Sequence, residues 1–294
     1  MMKRFFGLLF FTVFLTAQAQ STANRFFYEL TFKPKKDSAR LDKVMTVLDV
    51  TDGKSIFRDY TSIAQDSLLK SKIEEMQRTR VFQDLYKSIK MPKFAFKIVK
   101  KYPSMDIQYS EGIQNGMTPI QLAYNDAPKF NWQISQEKAR IGDYNAQKAT
   151  TEFGGRKWTA WFSSDIPMQD GPYKFHGLPG LIVKVEDEAK NYSWELKGNK
   201  KVNNFEEYTY LEKMRPGGTG QVVEVNREKF EKTLSDYRKD PFASFRSQFT
   251  PEIMAQKLPG TDKTLGEVVK DQEKLVKDFY SAVDNPIEII TKTK

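Results

Sequence analysis

The chain breaks into short extended runs separated by turn residues, and this punctuation restricts its fold more than any other feature. In residues 25–32, RFFYELTF, the side chains of Phe26, Tyr28, Leu30 and Phe32 share one face, the two-residue period of a strand. Residues 43–50 are apolar and β-branched, and Asp52-Gly53 then leads into residues 55–60, SIFRDY, which reads as a hairpin. Further strand-like runs cover 94–100, 105–110, 118–124, 130–134, 147–153 and 156–163, the last two joined by Gly154-Gly155. A final pair covers 180–186 and 191–198, with Glu188 to Lys190 at its turn. Only two regions change period. Leu68, Leu69, Ile73, Met76, Val81, Leu85 and Ile89 recur at helical spacing and predict one amphipathic helix near 65–90. After about residue 225, Asn226 can cap a helix that Pro241 ends, and Thr261 or Asp262 can start another, stopped at Asn285-Pro286. The pattern predicts an α+β protein. A β-rich antiparallel sheet or open half-barrel runs to about residue 225, and a helical part covers 226–284 of one domain spanning residues 20–294.

Residues 1–19 read as a cleavable signal peptide. Lys3 and Arg4 precede an apolar run from Phe5 to Leu15, and Ala17-Gln18-Ala19 offers small residues for cleavage. Eleven residues at ~1.5 Å rise span roughly 16 Å, about half a bilayer core, so the run is too short for an anchor. With no cysteine anywhere, neither an acylated lipoprotein anchor, a disulfide, a thiolate zinc site nor a cysteine nucleophile is available. The expectation is therefore an exported chain that is not a lipoprotein, with no transmembrane segment after cleavage. His176 is the single histidine, which excludes multi-histidine metal sites and obliges any Ser-His-Asp arrangement to use it. The formal net charge of +9 is spread among interleaved acids and predicts a solvated basic surface rather than a nucleic-acid site.

The most distinctive stretch is residues 142–198. Trp158, Ala160 and Phe162 alternate with Thr159, Trp161 and Ser163, placing aromatics on both faces of one strand. Beyond Asp165-Ile166-Pro167 and the turn residues Gly171 and Pro172, Tyr173 and Phe175 fall on one side of a short extended piece, Lys174 and His176 on the other. Gly177, Leu178, Pro179 and Gly180 form a rigid connection. Pro179 restricts itself and Leu178, and the glycines permit positive φ or a close backbone approach.

This stretch resembles the GLPGLI family. The residues that carry the resemblance are Gly177-Leu178-Pro179-Gly180-Leu181-Ile182, the preceding Ala160-Trp161-Phe162, Asp165-Ile166-Pro167 and Gly171 to Phe175, and Asn285-Pro286-Ile287-Glu288 near the C-terminus. The resemblance implies an exported protein of a bacterium with an outer membrane, addressed to the periplasm or outer surface and often encoded beside TonB-dependent transport proteins. It supplies no catalytic residues. Some members carry a cysteine near Tyr144 to Ala149, where this chain has Ala146, so no thiol role carries over.

Three functional classes remain open from the residues. The leading expectation is a non-enzymatic envelope accessory or binding protein. Tyr173, Phe175, His176 and Trp161 would contact an apolar ligand or partner segment, and the partner would be an outer-membrane transport protein. No cofactor, metal or catalytic residue is assigned. The alternatives are a secreted hydrolase using carboxylates or His176, with Ser163, Ser164, Asp165 or Asp170 as neighbours, and a structural surface-assembly protein. No Gly-x-Ser-x-Gly elbow is present, and Asp165, Asp170, Glu186, Asp187 and Glu188 fit no EF-hand spacing. Ser38 and Ser67 lie in short Asp-Ser-apolar patterns suited to bacterial O-glycosylation.

Overall fold

The computed structural model describes residues 21–289 other than 82, 84, 86–89, 117 and 215–221. The expected leader, residues 1–19, lies outside the described residues. Twelve strands form one open, almost wholly antiparallel sheet. In chain order they are β1 (Thr22–Phe32), β2 (Asp42–Val50), β3 (Lys54–Asp59), β4 (Phe96–Lys101), β5 (Asp106–Asn115), β6 (Thr118–Asp126), β7 (Gln133–Ile141), β8 (Tyr144–Phe153), β9 (Arg156–Ser163), β10 (Leu181–Asp187), β11 (Tyr192–Asn203) and β12 (Val222–Glu224). Across the sheet the order is β12-β6-β5-β4-β3-β2-β1-β11-β10-β9-β8-β7. Neighbouring strands are therefore mostly neighbours in sequence. The exceptions are β1 against β11, which joins two meanders, and the short β12, which pairs parallel to β6.

One face of the sheet carries the main apolar core because the alternation read from the sequence holds, and a smaller cluster of Ala23, Ile56 and Phe205 stands apart from it. Phe26, Tyr28, Leu30 and Phe32 of β1 all enter the main core, as do Trp158, Ala160 and Phe162 of β9. Trp161 faces the other way, half-buried, with the Lys148 ammonium 5.9 Å from its ring centre. Seven helices are described: α1 (Thr61–Ala64), α2 (Asp66–Thr79), α3 (Tyr210–Lys213), α4 (Arg227–Lys239), α5 (Ala243–Arg246), α6 (Pro251–Met254) and α7 (Leu265–Ser281). In α4, Phe230 and Leu234 pack on Ile113, Leu122 and Tyr124 of β5 and β6 in a second apolar cluster. No helix among the described residues is long and apolar enough to cross a membrane, which says nothing of strands.

Three expectations shift. Of the helix expected near 65–90, α2 covers Asp66–Thr79 and ends where Arg80 adopts a left-handed φ of 56° and returns its N–H to the Met76 carbonyl, while residues 82, 84 and 86–89 of that expectation lie outside the described residues. The strand expected at 130–134 is β7, Gln133–Ile141. It is an edge strand with water on both faces, so it carries no apolar alternation to read. The last helix starts at Thr264 rather than at 261 or 262, because the Thr264 and Glu267 side chains cap each other's backbone N–H groups. The Asn226 cap of α4 forms as read.

Candidate functional site

The segment between β9 and β10 is held from beneath by a buried lysine. Lys100 of β4 is fully buried and pairs with the equally buried Asp170 carboxylate. Its ammonium also donates to the carbonyls of Gly171, Tyr173 and Phe175, at 2.6, 3.2 and 3.4 Å. Asp170 in turn accepts from the Tyr102 hydroxyl at 2.5 Å and the Gly171 N–H at 2.6 Å. Burial pulls the Lys100 pKa below its ordinary value, against the opposing pull of Asp170. The glycines serve different needs. Gly177 takes a φ of +89° with open space where a Cβ would stand, whereas at Gly180 a Cβ would lie 2.6 Å from the Ser163 carbonyl carbon.

This anchoring turns Phe175 and Leu178 fully inward. Phe175 packs on Trp158 at 4.8 Å and on Phe130 and Phe153. His176 meets Phe130 edge-on at 5.1 Å, and its carbonyl accepts from the Trp132 indole N–H at 2.8 Å. Its Nε2 has no hydrogen-bond partner among the described residues. Burial, seconded by the Lys100 charge, pushes the imidazole pKa down to about 4. The folded pKa is thus depressed below the unfolded one of ~6.5. The resulting stability is present above pH ~6.5 and is lost as pH falls toward about 4. Because this is the single histidine, its C2 proton should be resolved by NMR and titrate near pH 4. A midpoint above pH 6 would show a hydrated ring instead.

The C-terminal tail closes over the other side of the segment. Arg156, at the start of β9, donates to Asp187 at 3.0 Å, to the Ile287 carbonyl at 3.0 Å, and to Asn285 Oδ1 and the Pro286 carbonyl at 2.8 Å each. The Tyr192 hydroxyl donates to the Asn285 carbonyl, and the Ile289 N–H reaches the Gly154 carbonyl at 2.7 Å. Glu288 is thereby set 2.6 Å from the ammonium of Lys174, 2.7 Å from the Tyr173 hydroxyl and 2.7 Å from Arg227 of α4. Lys174 is fully buried. It also meets Asp126 at 2.7 Å and the Tyr124 hydroxyl at 2.9 Å, with the Tyr109 and Tyr124 rings within 5.3 Å. Burial works against its charge, but Glu288, Tyr124 and Asp126 outweigh it and hold the ammonium above its usual range. Burial likewise works against the Glu288 carboxylate, and Lys174 overrides it and keeps the group below the usual carboxylate range.

Beside this junction the sheet, α4, α7 and the tail enclose a cavity of about 440 Å³. Phe94, Phe96, Tyr109, Tyr124, Tyr173 and Phe230 supply much of its wall. Glu288 and Arg227 close one part. Elsewhere stands Glu111 of β5, 4% exposed, which accepts from the Tyr109 and Tyr280 hydroxyls at 3.0 and 3.1 Å, with Arg238 3.8 Å away. Burial pushes the Glu111 carboxyl up. The cavity thus combines aromatic walls with two carboxyl groups shifted in opposite directions.

Of the aromatic residues singled out in the sequence, Tyr173 lines this cavity, while Phe175, His176 and Trp161 do not. Glu111 was missed in the sequence. Its signal is positional: it stands between Tyr109 and Ile113 on the inward face of β5, an acid in an apolar stripe. Asp170 and Asp187, which sequence grouped with Asp165, Glu186 and Glu188, are engaged by Lys100 and Arg156. Among the described residues no cluster of three metal-ligating side chains occurs.

Residues 154–184, from the start of β9 through the anchored segment into β10, match the model of a family described as a protein of unknown function (Porph_ging). No curated protein matches the chain. Among solved structures the chain resembles PNGF-II in its C2 crystal form, with a TM-score of 0.51 at 14% identity. The P21 form of PNGF-II gives a TM-score of 0.48 at 14% identity. Each match covers 74% of this chain and 34% of that one, so the chain spans about a third of PNGF-II's length. At that identity the likeness is one of fold.

Proposed function

We propose that the protein is an exported envelope binding protein that holds an apolar ligand, or an apolar segment of a partner, in the cavity between the sheet, α4 and the tail. The observation that carries this reading is the aromatic lining of a volume within the usual range for small-molecule sites. The leader-like residues 1–19 and the resemblance of residues 160–182 to the GLPGLI family support export and a role beside an outer-membrane transport protein. Native mass spectrometry of protein purified from an envelope fraction should show a bound apolar mass. Val283, half-buried on the cavity wall, offers a way to fill the space: Val283→Trp should lose that mass by about tenfold or more while keeping the fold. A wild-type protein that carries no ligand and cross-links to no envelope partner would remove this reading.

A hydrolytic reading is favoured by one observation, that two carboxyls, Glu111 and Glu288, line the same cavity, one raised by burial and the other held down by Lys174. It requires product release from an ester, peptide or glycan panel, abolished by Glu111→Gln. Turnover that survives that substitution places the chemistry elsewhere.

A further inference from the structure

A second cavity, of about 470 Å³, lies on the opposite face of the sheet and has a different chemistry. Alternation sends Phe57 of β3 into the main core and Arg58 to the other side. Register sets Arg25 of β1 across from Asp49 of β2, and Arg58 across from Lys97 of β4. Asp49 is fully buried and answers two guanidiniums: Arg25 at 2.5 and 3.0 Å, and Arg58 at 3.3 Å. The nearby acids are engaged elsewhere, Glu212 by Lys97 at 2.9 Å and Glu207 by Lys54 at 2.6 Å. Arg58 is 3% exposed, and its Nη1 donates to the Glu207 carbonyl at 2.9 Å. Its Nε has no hydrogen-bond partner among the described residues. A buried cationic N–H without an acceptor is costly, and like charges directly across a strand pair repel. Both costs fall if an anion enters.

The cavity wall is made for one. Arg25, Arg58, Lys70 and Lys213 line it against two acids, Asp66 and Glu206. Asp66 accepts the Tyr210 N–H at 2.8 Å, and Glu206 pairs with Lys213. Two guanidiniums held by a shared buried carboxylate, with the Arg58 Nε–H left without an acceptor among the described residues, offer phosphate fixed charge and directed donors that a lone ammonium would not. The volume exceeds that of a bare ion and leaves room for the group that carries it.

We infer that this cavity binds a phosphate monoester through Arg58 and Arg25. The shared chemistry is the phosphate, whether on a free small molecule or on a lipid headgroup. Calorimetric titration of the whole chain with inorganic phosphate and with glycerol phosphate, at constant ionic strength in chloride, should show saturable binding. Co-sedimentation with phosphatidylcholine vesicles containing phosphatidic acid tests the lipid source. Arg58→Gln should abolish binding, with its folding checked by circular dichroism. Lys70 is exposed and Lys213 partly so, so the double variant Lys70→Gln, Lys213→Gln should fold whatever Arg58→Gln does, and should weaken binding about tenfold. Variant-sensitive binding of the soluble phosphates without vesicle binding assigns a free ester, and variant-sensitive vesicle binding assigns a headgroup. Absence of saturable binding to all three probes overturns the inference, as does binding that the double variant leaves unchanged.

Discussion

Lys174→Met is expected to destabilise the fold by about 3–5 kcal/mol, read as a fall in the urea midpoint at unchanged slope. The reason is what it leaves behind. Lys174 has no exposed side-chain surface, and its removal leaves two carboxylates, Glu288 (side chain 9% exposed) and Asp126, with Arg227 as their one remaining ion-pair partner among the described residues. It also withdraws a cation from the rings of Tyr109, Tyr124 and Tyr173. The double variant Lys174→Met, Glu288→Gln should recover part of the loss, because it leaves Arg227 one carboxylate of the pair to answer instead of two. The pH dependence follows from the directions of the two shifts. Glu288 is depressed, so its contribution is present above the ordinary carboxylate range and is lost as pH falls through its folded pKa. Lys174 is raised, so its contribution is present below the ordinary ammonium range and is lost as pH rises through its folded pKa. The network should therefore be fully stabilising around neutrality and fail first in acid. A single variant within about 1 kcal/mol of wild type would show that the buried pair contributes no more than a surface one.

Gly180→Ala should be nearly as damaging, at roughly 3 kcal/mol or more. A Cβ there would press on the backbone of Ser163 and Ser164, 2.6 Å from one carbonyl carbon and 2.9 Å from one nitrogen. Ser163 is the residue paired with Leu181 in the β9–β10 ladder, so relief would require opening the two strands. Gly177→Ala meets no such obstacle and should cost only about 1–2 kcal/mol for its positive φ. Thermal unfolding of the two variants checks the order. Equal costs would mean that conformation, not close approach, decides both sites.

These two positions also show how far the sequence could be read. The strands came from a two-residue period that survives into the core, and the turn-rich segment announced its tight path through Pro179 and the flanking glycines. A sequence cannot show which of two glycines touches another backbone, because Ser163 is brought there by strand pairing. Phe175 and His176 stand out by their place in a short extended piece beside the glycine-rich connection, and nothing local shows that Phe175 is fully buried and His176 half-buried. The carbonyls of Gly171, Tyr173 and Phe175 are held by Lys100, far away in the chain. Glu111, Arg227 and Tyr280 reach the cavity from three separate elements, so no local spacing connects them. The edge strand β7 was half missed because both its faces meet water.

Arg156 and Lys174 make a final point about the tail. Each is a buried cation whose partners include residues 285–288, supplied only when the chain has been delivered to that point. A shortened product, cut before Asn285, would bury two charges with part of their answer missing, and would stay open to proteolysis in whatever compartment held it. The clasp therefore makes the durability of the fold depend on residues 285–288, and a chain lacking them should be cut faster in limited proteolysis.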